Sequence, residues 1–448
     1  AEWRQIFREA WRGLRDHFYD QDMRGVDWVR VRKDCEKLLP LISTRNELTD
    51  LMREMACYLG CSHLYVDNPT EEDDGEGYQG FLGADFKYES EVGWVITKMV
   101  EGDAWDPRSC GPLATPGLNI NVGDAVTAIN RRALTEKTYT IYDALAHMAG
   151  KEIFLTVSTK TVKKKKKKKV TVFTPKTVRV KPCSEEVERA ARYRDWVEGN
   201  KKKVHDITGN RVGYVHTPDT EHYGFTEFHR YYLAECAREG MIIDVRGNEG
   251  GYASELMLEK LMRRPIGYCV PRKGRGVRQS YPQHALCAGA IVMLTDEHAG
   301  SDGDILSYAF QAMKLGKLVG NQTWGGVLTM GIHDTYLVDG GENSVPCEGF
   351  EPVFEKVKGE GLENKGVVPD VVVVSLPGDA TDRQLDVAIE EVLKLVSGAS
   401  SLGGSEGTSL GASPQRGGSS LGTSLGTSLG SSSSGTSLGG GSGKGSIF

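Results

Sequence analysis

The stretch Ala290-Ile-Val-Met-Leu-Thr-Asp-Glu-His-Ala-Gly-Ser-Asp-Gly-Asp304, running on into Ile305-Leu-Ser-Tyr-Ala-Phe-Gln-Ala-Met313, decides the fold. Its apolar run Ile291 to Leu294 reads as a buried strand, and Ile305, Leu306, Tyr308, Ala309 and Met313 then recur at helical spacing. Gly300 and Gly303 bracket Ser301, so a hydroxyl is held where a strand passes into a helix N-terminus. The free N–H groups of a first helical turn, with the positive end of the helix dipole, suit the oxyanion formed when a serine attacks a carbonyl. Two other readings fit the same residues. Ser301 or Asp302 caps the helix, or Asp302 and Asp304 hold Mg²⁺, although no third carboxylate neighbour and no HExxH supports the metal.

Working outward, strand and helix patterns alternate from Cys183 onward. Helix Glu185–Val197 leads to strand Val212–His216, helix Phe225–Arg238, strand Met241–Val245 and helix Ala253–Arg263. After the Ser301 unit come strand Lys317–Gly320, strand Val371–Val374 and a last helix opened by a capping box, Thr381-Asp-Arg-Gln384. Such alternation predicts a largely parallel α/β core with ligands at the carboxyl ends of its strands. Ser301 lies at one such end and Arg246-Gly-Asn-Glu-Gly-Gly251 at another. Gly250 and Gly251 can bring backbone N–H groups close to a ligand, but neither GxGxxG nor GxxxxGK[ST] is present, so nucleotide binding has little support.

Ahead of the core the pattern changes twice. Trp3, Ile6, Phe7, Ala10, Trp11, Leu14 and Phe18 make one amphipathic helix, Trp28–Leu39 a second, and the capping box Thr44-Arg-Asn-Glu47 opens a third. Gly60 stops that helix, and His63 heads a short strand. An acidic linker, Glu71 to Glu76, precedes short strands at 80–86, 94–97, 125–129 and 153–157 and one helix at 142–148. Gly80-Phe-Leu-Gly83, then Val122-Gly-Asp-Ala-Val-Thr-Ala-Ile-Asn130 and a helix, resemble a PDZ domain. The resemblance implies that the Gly80–Gly83 loop offers N–H groups to a peptide carboxylate while the peptide adds to a sheet edge. Lys163–Lys169 falls between two strand patterns and is expected as a solvated loop.

Composition narrows the function. The 448 residues carry a net charge of −6 even though the lysine run contributes +7, which argues against nucleic acid as a partner. No apolar stretch reaches membrane-spanning length, so a soluble protein with no membrane partner is expected. Nine scattered cysteines without a CxxC pair suggest no zinc site and no disulfide framework, and a cytoplasmic location fits them. No cofactor or metal is implied. Because Ala1 already stands inside a helical pattern with no initiator Met, a fragment of a longer chain is expected. Beyond Gly398, repeats of Thr-Ser-Leu-Gly hold too little apolar surface to offset ordering entropy, and this tail is expected to be disordered.

Taken together, Leu59-Gly-Cys-Ser-His-Leu-Tyr-Val66, Asp244–Gly251, Ala299–Asp304, Gly320-Asn-Gln-Thr-Trp-Gly-Gly326 and Glu363-Asn-Lys-Gly-Val-Val-Pro-Asp370 resemble the catalytic half of the tricorn-type peptidases. These are members of the tail-specific, C-terminal-processing serine peptidase family. The resemblance implies a helical subdomain (1–70), a PDZ-like domain with the lysine-rich loop (77–180), an α/β core of the ClpP/crotonase type (183–398) and the tail (399–448). It makes Ser301 the nucleophile, His63 the general base and Glu363 the group that orients the imidazole through Ser62. Backbone N–H groups of Gly250 or Gly251 and of Asp302 would form the oxyanion hole. Gly80, Phe81, Leu82, Gly83 and Cys269 would contact substrate. The relatives that use a lysine base carry it where this chain has Thr323-Trp-Gly-Gly326, with no lysine. Where the family places an acidic residue after Gly267-Tyr268, this chain has Cys269-Val270, so a less polar P1 residue is expected. The substrates implied are peptides or unfolded polypeptides, and a homo-oligomer is expected. A rival reading is an inert peptide-binding scaffold. Convergence of Ser301, His63 and Glu363 separates the two.

Overall fold

The computed structural model describes residues 2–69, 78–103, 106–165, 168–272, 279–286, 289–330, 335–353, 361–376, 378–379 and 381–402. The acidic segment Glu71–Glu76 and residues 403–448 of the tail lie outside these residues, whereas 399–402, where the tail was expected to begin, form the last turn of the helix Arg383–Leu402.

The amphipathic periods of the N-terminal segment give three helices, α1 (Glu2–His17), α2 (Trp28–Glu36) and α3 (Arg45–Cys57). Thr44 and Glu47 form the expected capping box on α3. The apolar faces close on one another through Ile6, Phe7, Leu14, Leu48, Met52 and Met55, with Leu337 and Val345 completing the cluster. Burying such side chains stabilises by roughly 1.5–3 kcal/mol each, which fixes where the chain after α3 emerges.

The next unit is an antiparallel sheet in the order 84–89, 93–99, 125–129, 153–165, 168–180, with the short helix α4 (Ile141–Leu145) packed on it. Its first strand, Ala84–Glu89, is an edge. Five lysines of the run, Lys163–Lys165 and Lys168–Lys169, are not in the loop that the composition suggested; Lys166 and Lys167 lie outside the described residues. The backbone of the five continues the hairpin ladder, pairing Lys163 with Val170, Lys164 with Lys169 and Lys165 with Lys168. A ladder is made by backbone groups, which lysine supplies as well as any residue.

Helix α5 (Glu185–Thr208) is eleven residues longer than its apolar pattern indicated, ending in a left-handed Gly209 cap. It leads to five parallel strands in the order 371–372, 317–320, 290–295, 240–244, 212–216. Four further helices cover the sheet: α6 (His222–Glu235), α7 (Ser254–Met262), α8 (Asp302–Ala312) and α9 (Arg383–Leu402). The two central strands are buried along their length, as continuous apolar runs in a parallel sheet require. The cap of α9 differs from the expected Thr381 box: Asp382 Oδ1 accepts the Leu385 N–H at 3.0 Å. No helix among the described residues is long and apolar enough to cross a membrane.

Candidate active site

Ser301 sits at the carboxyl end of the central strand Ala290–Thr295, one residue before α8. Its side chain makes no cap to the helix, and its backbone adopts φ 56, ψ −122. A non-glycine residue in such a region costs on the order of 1–3 kcal/mol, and surrounding contacts must impose it. Here they are tight. A Cβ on Gly250 would come within 2.6 Å of the Ser301 Cβ, and one on Gly300 within 2.7 Å of the Trp324 ring.

His63 lines the same cavity as Ser301 and is itself at φ 58 and buried to 7% exposure. Its Nδ1 lies 2.9 Å from Ser62 Oγ, and Ser62 Oγ donates to Glu363 Oε2 at 3.1 Å. The hydroxyl has one proton, so once that proton goes to the carboxylate it can only accept from the ring. Nδ1 therefore carries the imidazole hydrogen and Nε2 keeps its lone pair. Glu363, 2% exposed, also accepts the N–H groups of Ser62 (2.6 Å), Val327 (2.8 Å) and Leu328 (3.2 Å). Burial lowers the His63 pKa below the ordinary histidine value, with the Glu363 charge opposing the shift. The same surroundings push the Cys61 thiol up to about 12. Trp324 meets the His63 ring edge-on, with centroids 5.4 Å apart.

Ser301 and His63 line one cavity of about 340 Å³, whose walls among the described residues include Leu258, Ile305, Val327 and Met330, with the carboxylates of Glu255 and Asp302. No hydrogen bond joins Ser301 to His63 among the described residues. Hydrogen bonds of this kind often tighten only around bound substrate.

The expected oxyanion donors separate on inspection. The Gly250 N–H already donates to Asn248 Oδ1 at 2.9 Å, and the Gly250 carbonyl accepts from Thr220 N–H at 2.7 Å. Gly251, at φ 138, lines the cavity, and neither its N–H nor that of Asp302 has an acceptor among the described residues. The Asp302 carboxylate is occupied too. It accepts the Ser254 N–H (3.0 Å) and hydroxyl (2.5 Å), capping α7, and burial raises its pKa. Asp304 is fully buried and receives Thr323 Oγ1, Gly325 N–H (2.8 Å) and Gly326 N–H (3.2 Å). These bonds account for both carboxylates without a cation, and no group of three or more His, Cys, Asp or Glu among the described residues is arranged to hold one.

Two groups of expected substrate contacts are placed elsewhere. Cys269 is exposed on a hairpin with Gln279–Tyr281 and does not line the Ser301 cavity. In the PDZ-like loop, Gly80 N–H goes to Leu145 O (2.9 Å), Phe81 N–H to Cys183 O (2.9 Å) and Gly83 N–H to Glu188 Oε2 (2.8 Å), while Leu82 is buried. Three of the four amides that would receive a peptide carboxylate are spent internally. Sequence reasoning passed over Asn248, Trp324 and Asp304 as supports, although all three stand inside the motifs it quoted. Only the hydrogen-bond geometry distinguishes a support from a ligand.

Residues 1–57 match the tricorn protease C1 domain, 80–175 the tricorn protease PDZ domain and 211–373 peptidase family S41. Over 400 residues the chain is 40% identical to a tricorn protease homolog of Saccharolobus solfataricus, covering 88% of this chain and 35% of that relative. It is 39% identical over 393 residues to tricorn protease homolog 1 of Streptomyces coelicolor, covering 87% and 35%. The crystal structure of the tricorn protease superposes with a TM-score of 0.79 at 31% identity, over 88% of this chain and 37% of that one. The chain thus spans about a third of the length of these relatives.

Proposed function

The chain belongs to the tricorn protease family of S41 serine peptidases, and on that premise we propose that it hydrolyses peptides or unfolded polypeptides through an acyl-enzyme on Ser301. One observation supports this reading above the others: the Glu363–Ser62–His63 hydrogen-bonded relay ends on the cavity that Ser301 lines. His63 Nε2 takes the Ser301 proton as the hydroxyl attacks the scissile carbonyl, and Glu363, acting through Ser62, stabilises the imidazolium that forms. The Gly251 and Asp302 N–H groups receive the oxyanion, while Asn248 holds Gly250 out of the donor pair and sets the turn. His63 then returns its proton to the leaving amine, and water repeats the sequence on the acyl-enzyme.

In this reading the cavity walls Leu258, Ile305, Val327 and Met330 receive an apolar P1 side chain. The functional units are the helical segment 1–70, the PDZ-like segment 77–180 and a ClpP/crotonase-type core over 183–398, working as a homo-oligomer in the cytoplasm.

The test is covalent labelling with a fluorophosphonate, together with hydrolysis of a P1-varied fluorogenic peptide set. Labelling lost in Ser301→Ala and highest rates with Leu or Phe at P1 are expected. Absence of labelling would return the protein to the scaffold reading, and preference for Arg would overturn the apolar P1 assignment.

A further inference from the structure

Helix α5 has two working sides, and each grips a different part of the chain. On one side its carboxylates receive backbone amides of the PDZ-like unit. Glu188 accepts Gly83 N–H at 2.8 Å, and Asp195, two turns on, accepts Glu101 N–H (3.1 Å) and Gly102 N–H (2.8 Å). Arg192 lies between them and bridges Glu188 and Asp85, each at 2.7 Å. Glu188 is 6% exposed, so this carboxylate sits inside the joint and not on its rim.

On the other side α5 packs under the turn that carries Gly251. Tyr193 OH lies 2.9 Å from His216 Nδ1, and His216 Nε2 lies 3.0 Å from the Arg246 carbonyl. A carbonyl only accepts, so Nε2 carries the hydrogen and Nδ1 accepts from the tyrosine. Trp196 meets the His216 ring edge-on at 4.7 Å, and the Arg246 guanidinium lies over Trp196 at 5.7 Å. Arg246 opens the turn through Asn248 to Gly251.

We infer that Glu188 is a built-in carboxylate ligand of the Gly80–Gly83 loop, and that through α5 it helps to hold the Arg246–Gly251 turn in register with Ser301. Glu188 and Tyr193 are then positioning residues for the backbone donors. The loop that resembles a receptor for peptide C-termini acts as an internal clamp, holding at Gly83 the same chemical group it would otherwise capture while the Gly80 and Phe81 amides go to backbone carbonyls. A free peptide carboxylate meets a site that already holds one, with the further cost of displacing the ion pair to Arg192.

The inference rests on the peptidase reading for its rate arm only. In the Ser301→Ala background, which cannot cleave its ligand, fluorescein-labelled hexapeptides with a free or an amidated C-terminus are titrated by anisotropy. With Glu188 intact no preference for the free carboxylate is expected. With Glu188→Ala added, the free form should bind about tenfold tighter than the amide. In the Ser301 enzyme, Glu188→Ala should lower kcat about fivefold or more with KM within about twofold, as expected for displaced oxyanion donors. Glu188→Gln should recover most of that loss, since its carbonyl still accepts Gly83 N–H, and Tyr193→Phe should reproduce it. Free-carboxylate preference with Glu188 in place overturns the inference whether or not the chain is a peptidase. So does an unchanged kcat in Glu188→Ala, or equal losses of rate and Tm in the Ala and Gln variants. Where Glu188→Ala does not fold, the binding arm with Glu188 intact and the Glu188→Gln rate still decide.

Discussion

Replacing Glu363 by Gln removes one charge and one acceptor while keeping shape. Glu363 Oε2 accepts three bonds, from Ser62 Oγ and the Val327 and Leu328 N–H groups, and Oε1 accepts one, the Ser62 N–H at 2.6 Å. The amide oxygen of Gln satisfies the threefold side best, which sets its NH₂ against the Ser62 N–H, donor facing donor. One charge-assisted hydrogen bond is lost, worth about 1.5–3 kcal/mol, and the developing imidazolium loses its counter-charge. At about 1.4 kcal/mol per tenfold, kcat should fall roughly 10- to 150-fold, well short of Ser301→Ala. Steady-state hydrolysis of a fluorogenic peptide measures this, with circular dichroism to confirm that the fold persists. The pH profile adds a second readout. Glu363 raises the His63 pKa against the burial that lowers it, so its neutralisation moves the acid limb of kcat/KM to lower pH. A rate within twofold of the wild type, or an acid limb displaced to higher pH, would refute the relay.

In the unsubstituted protein kcat/KM should rise as His63 loses its proton, with the midpoint below the ordinary histidine pKa because burial favours the neutral ring; a midpoint above 6.5 contradicts that. Gly250→Ala places a Cβ 2.6 Å from the Ser301 Cβ at a residue with φ 87, and kcat should drop at least about a hundredfold, with a lowered Tm from the same strain. Asp302→Asn weakens the cap on Ser254 and removes its charge; a loss of stability of about 1 kcal/mol is expected by urea unfolding, with the metal chelator EDTA without effect on rate. Trp324→Ala frees both Gly300 and the edge of His63, and should lower kcat more than it raises KM.

The strand, turn and helix around Ser301, the capping box on α3 and the alternation that builds the parallel sheet were legible in the chain because each depends on residues within a few positions of one another. That Ser62, His63 and Glu363 would come together was suggested only by resemblance, since nothing local distinguishes His63 from a structural histidine. The tertiary structure alone decided how backbone hydrogen bonds are shared out. Ser62 and Glu363 meet across 301 positions, and Gly83 and Glu188 across 105. Gly250 and Gly251 are equivalent as letters, and only the Asn248 side chain commits one N–H and leaves the other. The Gly80–Gly83 loop reads as a receptor because glycine signals exposed amides, whereas those amides are taken by partners distant in sequence, the carbonyls of Leu145 and Cys183 and the Glu188 carboxylate. Periodicity reports which face of an element is apolar; which donor meets which acceptor is fixed only when the packed elements bring them within hydrogen-bonding distance.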